Sequence, residues 1–354
     1  MAEPGQMVTL DAVAAQAGVS RDTVSRVLNG RTKEIWPSMV QRAERIRRIA
    51  VEMGYRPHAA ARAMSQGRFG TVSLLLSTEA GRSTLPITML DGIQDALSRS
   101  GLNLMIARAP DEKLTSTGFV PKVLRELMVD GLLINYNRTI PERMTELIEG
   151  HRIPAVWINC KREADCVYPD DLGGGRLATE HLLKLGHRNV AYMEFSQAGP
   201  GMRHYSETDR RAGYEATMRE AGLPPRVLKP EAGDADIDRL DVIGRWLSGP
   251  SRPTAAIAYA FGSAVQHAAA LAGLGVPTDL SVLSFADQPR RPFGRPETTV
   301  VVPAAKVGQM AVEMVLAKLA NLDEPASPVM VEESLKAGLT TGPPKPECVQ
   351  GRNG

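Results

Sequence analysis

The chain is poor in the residue types that build disulfide frameworks, metal centres and membrane spans. Its three cysteines, Cys160, Cys166 and Cys348, form neither an even set nor a CxxC pair, so reduced thiols are expected. Six histidines are scattered without HExxH or a paired spacing, and no metal or other cofactor is predicted. No hydrophobic run reaches the length of a membrane span, and the opening residues, MAEPGQM, lack the charged and apolar parts of a secretion signal. A cytoplasmic protein without a membrane partner is the expectation. No nucleophile has a base beside it in sequence and no sound phosphate loop occurs, which argues against an enzyme. The segment after Gly342, PPKPECVQGRNG, is Pro-rich and polar with no leucine heptad; it predicts a disordered tail over 343–354 and offers no coiled coil for a tetramer.

What is present concentrates in residues 9–30, TLDAVAAQAGVSRDTVSRVLNG. Thr9 suits the cap of a helix in which Leu10, Val13, Ala14 and Ala17 share one face, and Gly18 falls where that helix must stop. A buried Val19 anchors the turn, and the Ser20 hydroxyl caps a second helix opening at Arg21. There Val24, Val27 and Leu28 pack back on the first helix, while Arg21, Asp22, Ser25, Arg26 and Asn29 point away. Small Ala14, four residues before Gly18, lets the two helices cross closely. Such turn chemistry makes a helix-turn-helix; the alternative is an ordinary packed helix pair with a solvated polar face.

After the loop RTKEIW, Pro37 and Ser38 start a third helix whose apolar stripe is Val40, Ala43, Ile46, Ala50 and Met53, ended by Gly54. Three such helices have just enough apolar surface for one small core, a domain of about sixty residues. Residues 1–70 carry 11 Lys and Arg against 6 Asp and Glu, whereas the remainder carries 31 against 34. Basic excess on one small module is the footprint of phosphate contact, and also that of a solvated basic face. The following run, HAAARAMSQGR, is too short for a stable isolated helix and reads as a linker that folds when held.

From Thr71 the apolar runs TVSLLLS, LNLMIA, GLLINY, PAVWIN, NVAYMEF, TAAIAY and LSVLSF alternate with amphipathic stretches such as 89–97, 177–185 and 307–319. Regular alternation of this kind gives an α/β fold with doubly wound parallel sheets. About a dozen strands exceed one comfortable sheet, so two similar lobes are predicted. Within this region Gly173-Gly174-Gly175-Arg176-Leu177-Ala178 fits a dinucleotide fingerprint, with Glu194 some twenty residues on at the end of a strand. In a true site the first glycine follows its strand directly, but here Pro169-Asp170-Asp171 intervene after CVY.

The pattern VTLDAVAAQAGVSRDTVSRVLNG, the third helix, GYRP and AARAM together resemble the amino-terminal domain of the lactose/galactose repressor (LacI/GalR) family. The resemblance runs to about Gly342. It implies a helix-turn-helix head over 1–56, a hinge helix over 57–70, and a periplasmic-binding-protein-like core over 71–342 for effector binding and dimerisation. One lobe of that core would comprise 71–168 and 303–328, the other 169–302 and 329–342, with crossings near Tyr168, Val302 and Pro328. Carried over by position, Arg21, Asp22 and Arg26 read base edges, Arg26 as a bidentate partner for guanine. Asp22 either accepts from a cytosine amino group or pairs with a neighbouring arginine. Thr9, Ser20, Thr23, Ser25, Asn29 and Tyr55 hold the DNA backbone. Ala61 and Met64 fall at the hinge positions that enter the minor groove of a bent operator, Met64 standing where Leu is usual and His58 where Asn is usual.

In the cleft the chain departs from its sugar-binding relatives. Arg210 keeps its place in DRRAGY, but Ala260 and Phe261 stand where an Asn-Asp pair is usual, Ala286 replaces the first Asp of a pair while Asp287 is kept, and Val302 stands where Gln is common. A cleft without those acceptors leaves buried sugar hydroxyls unsatisfied. Either the ligand is less hydroxylated, or other residues bind it, or none is sensed. Candidate effector contacts are Arg210, Ser77, Glu79, Arg108, Tyr136, Asn159, Tyr205, Phe261 and Asp287, with His204 on the loop beside them. The expected function is a dimeric transcription regulator, a repressor by resemblance, on a pseudo-palindromic double-stranded operator, modulated by a small molecule that is carbohydrate-related in the family. Two rivals share parts of the pattern: a solute-binding protein, which should carry a secretion signal and no head, and a nucleotide-using enzyme.

Overall fold

The computed structural model describes residues 8–32, 36–56, 67–79, 82–109, 129–136, 140–194, 204–230, 239–249, 251–322 and 324–346. The chain forms two compact units that divide between Phe69 and Gly70.

The first unit contains α1 (Leu10–Ala17), α2 (Arg21–Leu28) and α3 (Pro37–Glu52). Thr9 caps α1, its hydroxyl accepting from the Ala12 N–H at 3.2 Å, and Gly18 ends it in the left-handed conformation (φ 66°) that glycine adopts without strain. Ser20 caps α2 by accepting from the Thr23 N–H at 3.3 Å. Val13, Ala14, Ala17, Val24, Val27, Ala43, Ile46, Ile49 and Ala50 close one small core. Val19, expected to be buried, is only half-buried and packs at the edge of this core.

The second unit holds two six-stranded sheets. In chain order its elements are β1 (Thr71–Ser77), α4 (Ile87–Arg99), β2 (Asn103–Ala109), β3 (Gly131–Asn135), α5 (Glu142–Gly150), β4 (Ala155–Ile158), β5 (Cys166–Pro169), α6 (Asp171–Lys184), β6 (Val190–Met193), α7 (Tyr205–Glu220), β7 (Arg226–Leu228), α8 (Arg239–Ser248), β8 (Ala255–Ala258), α9 (Gly262–Leu271), β9 (Ser281–Ala286), β10 (Thr298–Val301), α10 (Ala304–Ala320), β11 (Val329–Val331) and β12 (Ser334–Lys336). The sheets run β11-β5-β4-β3-β1-β2 and β12-β10-β9-β8-β6-β7. All pairings are parallel except that of β10 with β12. Burial of every residue of β3, β4, β6, β8 and β9 is what a parallel sheet covered on both faces requires, and it explains why those strands read as continuous apolar runs.

Each sheet reverses its winding beside its first strand, β1 or β6. The carboxyl ends of the strands around those switch points are where a doubly wound sheet leaves a crevice. Three segments cross between the lobes: Pro169 to Asp171, Val302 to Pro303, and Glu332 to Glu333. The third lies later than Pro328, because Val329–Val331 hydrogen-bonds to β5 in the first sheet before the chain leaves it.

Candidate nucleic-acid interface and ligand cleft

In the head, the cap at Ser20 fixes where α2 begins, and the helical period then decides which side chains remain outside. Val24 and Val27 are buried, whereas Arg21, Asp22 and Arg26 are exposed and Thr23, Ser25 and Asn29 lie at the rim. Among the described residues, Asp22 does not pair with an arginine through its carboxylate. Arg26 Nε instead donates to the Asp22 carbonyl at 3.4 Å, and Arg21 reaches Asp11 of α1 at 3.8 Å. The Ser20 and Thr23 hydroxyls bond to each other at 2.9 Å, and the Asn29 amide donates to Ser25 at 3.3 Å. Tyr55 packs against the edge of the core, its N–H donating to the Ala50 carbonyl at 2.8 Å. Ala61, Met64 and His58 lie outside the described residues.

In the second unit, a cleft of about 270 Å³ opens at the carboxyl ends of the strands, lined from the first lobe by Thr84, Pro86 and Asn159 and from the second by groups that include Arg210, Tyr259, Phe285 and Asp287. A larger cavity, about 630 Å³, lies on one lobe beside Trp157 and Lys318. Its lysines are tied to carboxylates, Lys318 to Asp165 at 2.7 Å and Lys161 to Asp209 of the other lobe.

Of the sequence-predicted effector contacts, Arg210, Asn159, Asp287 and His204 meet in the cleft, and Ser77, Glu79, Arg108, Tyr136, Tyr205 and Phe261 do not line it. Ser77 is buried and accepts from the Glu79 N–H at 3.0 Å, while Arg108 donates to the Ser77 carbonyl at 3.2 Å. Tyr136 is fully buried in the first lobe's core, its hydroxyl donating to the Ala109 carbonyl at 3.2 Å. Phe261 sits in the left-handed region (φ 61°), with the Arg239 guanidinium 3.7 Å from its ring centre. Tyr205 donates to Asn159 Oδ1 at 3.3 Å. Sequence reasoning missed Tyr259, Phe285 and Arg290; the strands TAAIAY and LSVLSF end on the first two, which was the signal available.

Several bonds join the two lobes across this cleft. Thr88 donates to Asp287 at 2.8 Å, His204 Nε2 donates to the Asn159 carbonyl at 3.1 Å, and Lys161 pairs with Asp209. His204 Nδ1 accepts from the Ser206 N–H at 3.3 Å, which fixes the Nε2–H tautomer.

Arg210 stands behind the cleft wall, one tenth exposed. It meets Asp171 at 2.6 Å and Glu333 at 3.5 Å, and its guanidinium lies 4.2 Å from the Phe285 ring centre. Asp171 Oδ2 and both Glu333 oxygens are buried with no hydrogen-bond donor among the described residues. Two neighbouring buried carboxylates are relieved when one holds a proton. Burial and the nearby Asp171 push the Glu333 carboxyl up to about 8 against the pull of Arg210, so Glu333 is the protonated member.

The Gly173–Gly175 run serves packing. The Asp170 carboxylate accepts from the Gly173 N–H at 2.9 Å, and a Cβ on Gly175 would stand 2.1 Å from the Arg210 carbonyl oxygen, one on Gly213 2.2 Å from that of Leu172. These glycines let α6 and α7 touch backbone to backbone, which places Arg210 over Asp171. Glu194, the supposed ribose ligand, pairs with Arg211 at 3.0 Å. Among the described residues no cluster of metal-binding side chains occurs, and no helix is long and apolar enough to cross a membrane.

Two family profiles match: bacterial regulatory proteins of the lacI family over residues 9–58, and a periplasmic-binding-protein-like domain over 179–341. The chain belongs to the lacI family. Relatives extend over nearly its full length. The HTH-type transcriptional repressor PurR of Actinobacillus pleuropneumoniae serotype 3 is 25% identical over 88% of this chain and 91% of its own length. The ribose operon repressor of Escherichia coli K12 is 28% identical over 88% and 93%. In fold, the lac repressor dimer bound to operator and the anti-inducer ONPF is similar with a TM-score of 0.73 at 22% identity, over 95% of this chain and all of that one. As a lacI-family member, the chain is a DNA-binding transcription regulator with an effector-binding core.

Proposed function

We propose that the chain is a cytoplasmic repressor that holds a pseudo-palindromic operator as a homodimer and changes its grip when a small molecule occupies the cleft between its lobes. The observation that carries this reading is the Ser20-capped α2, which buries Val24 and Val27 and turns Arg21, Asp22 and Arg26 outward. A solute-binding protein built on the same core has no use for such a head. Arg21, Asp22 and Arg26 read bases; Thr9, Ser20, Thr23, Ser25, Asn29 and Tyr55 hold phosphates; Ala61 and Met64 enter the minor groove as the hinge.

The repressor role is supported by the two curated relatives, both of which are repressors. Dimerisation is supported by the likeness to a lac repressor dimer, and two-fold symmetry in the protein calls for a two-fold operator. The cleft is tied to the segments that cross between the lobes: Asp171, Glu333 and Val302 all lie on them, and ligand contacts that favour one lobe angle bias the whole core.

The test is recovery of bound fragments from a genomic library, followed by footprinting with and without small metabolites. Recovered sites should share an inverted repeat protected on both halves, and a metabolite fraction should change the footprint. Sites without a repeat, or a footprint indifferent to every fraction, would count against the proposal.

A further inference from the structure

We infer that the cleft takes a small zwitterion of the α-amino-acid type, its carboxylate on Arg290 and the free Nη1 of Arg210, its ammonium on Asp287, and its apolar body against Phe285 and Tyr259. The inference rests on the reading of this cleft as the effector site and names the ligand class.

Charge balance leads to it. Arg210, which lines the cleft, is neutralised by Asp171 through Nε and Nη2, while its Nη1 has no acceptor among the described residues. Arg290 lines the same cleft, is exposed, and makes no hydrogen bond or ion pair through its guanidinium among the described residues; the buried Glu297 feels its charge but is held by Gln266 at 2.9 Å. Asp287, three residues earlier, uses Oδ2 for Thr88, and its Oδ1 has no partner among the described residues. One cation and one anion thus face the cleft without bonding each other. As water leaves, a ligand with a single charge would strand the opposite one, whereas a zwitterion satisfies both.

Hydrogen-bond supply agrees. Among the described residues the free charged groups are mostly donors, Arg290 and Arg210 Nη1, against the carboxylate oxygen Asp287 Oδ1, while the Thr84 hydroxyl can either donate or accept. A sugar hydroxyl brings a donor with each acceptor and leaves the cationic donors without a counter-charge; a carboxylate brings acceptors only and a charge that matches them. Size points the same way, since a cleft of about 270 Å³ suits one amino acid better than a disaccharide or a nucleotide. The rings of Phe285 and Tyr259, which flank Arg210 at 4.2 and 5.4 Å, supply an apolar wall for a side chain.

The test is calorimetric titration of the full-length protein with each of the twenty standard amino acids, with the deaminated and decarboxylated analogues of any that bind, and with ribose and glucose. Saturable binding of at least one amino acid is expected, at least tenfold tighter than either analogue. Arg290→Gln, at an exposed position that leaves folding alone, should weaken the amino acid tenfold or more and leave the decarboxylated analogue unchanged. No binding by any of the twenty, or equal affinity for an analogue lacking one charge, overturns the inference. Binding of ribose or glucose in place of amino acids, lost in Tyr259→Ala, overturns the ligand class while leaving the effector reading in place.

Discussion

Arg210 directs both Nε and Nη2 at one oxygen of Asp171, each at 2.6 Å, and so fastens α7 to the first of the three segments that cross between the lobes. Through Nη2 it also reaches Glu333, on the third crossing, at 3.5 Å. The residue expected from sequence to be a ligand contact is therefore a clamp on two crossings as well. Any displacement of Arg210 is delivered directly to those two crossings.

Removing the cation leaves the buried Asp171 carboxylate without a counter-charge, so Arg210→Met is expected to cost about 3–5 kcal/mol, the usual penalty for breaking a buried pair from one side. Asp171→Asn should cost less, because Glu333 can release its proton and take over the guanidinium. Urea unfolding of the full-length variants checks the order; equal losses would mean that Glu333 does not substitute for Asp171.

Glu333 also makes stability depend on pH in an unusual direction. Its carboxyl titrates near 8 in the folded chain against 4.5 ordinarily, so between those values the folded chain keeps a proton that the unfolded chain has released. Stability then falls as pH rises through the window, by about 1.4 kcal/mol per unit where the difference is complete. Burial lowers His181 and His187, which act oppositely, but only below their ordinary value of 6.5. Thermal unfolding between pH 6.5 and 8 should therefore show a decline that Glu333→Gln flattens, since Gln can still donate to Asp171 but does not titrate. An unchanged slope in that variant would assign the decline to another group.

Gly175→Ala tests whether the glycine run is a packing device. Its Cβ would meet the Arg210 carbonyl oxygen, a backbone atom that cannot rotate away, so α6 and α7 must separate. A loss of about 1–3 kcal/mol or more is expected, as for other overpacked contacts. Gly150→Ala, where nothing lies within 4 Å, is the control and should be near neutral. Added NAD or a nucleoside phosphate should leave the melting of the parent chain unchanged; stabilisation by either would restore the nucleotide reading.

These cases separate what was legible in the sequence from what was not. Residues 9–30 could be read because caps, turn and helical stripe are set by neighbours a few positions apart. The strands were legible because full burial leaves an uninterrupted apolar run. Glu333 was silent, since its meaning comes from Asp171 and Arg210, which lie far off in the chain and meet only at the crossings. Tyr136 and Phe261 misled for a related reason. A residue at a strand end reads as facing the crevice, but Tyr136 turns into the first lobe's core and the left-handed backbone at Phe261 turns its ring towards Arg239. The glycine fingerprint misled because phosphate loops and close helix crossings both need a missing Cβ.

The recognition helix gives the last prediction, and it bears on Asp22 as much as on Arg26. Arg26→Ala should cost about 1–3 kcal/mol on the cognate site and relax the preference at one base position, with little loss on random DNA. Equal loss on both would make Arg26 a phosphate contact. Arg26 is steadied by the Asp22 carbonyl at 3.4 Å, not by its carboxylate, so Asp22→Ala leaves that support in place. If Asp22 reads a cytosine amino group, its alanine variant loses discrimination at a position different from that of Arg26. Were the carboxylate only to orient Arg26, both variants would relax the same base pair. Selection of preferred sites from a randomised operator, run in parallel on the two variants, distinguishes these outcomes by position alone, whatever the affinity of the parent chain.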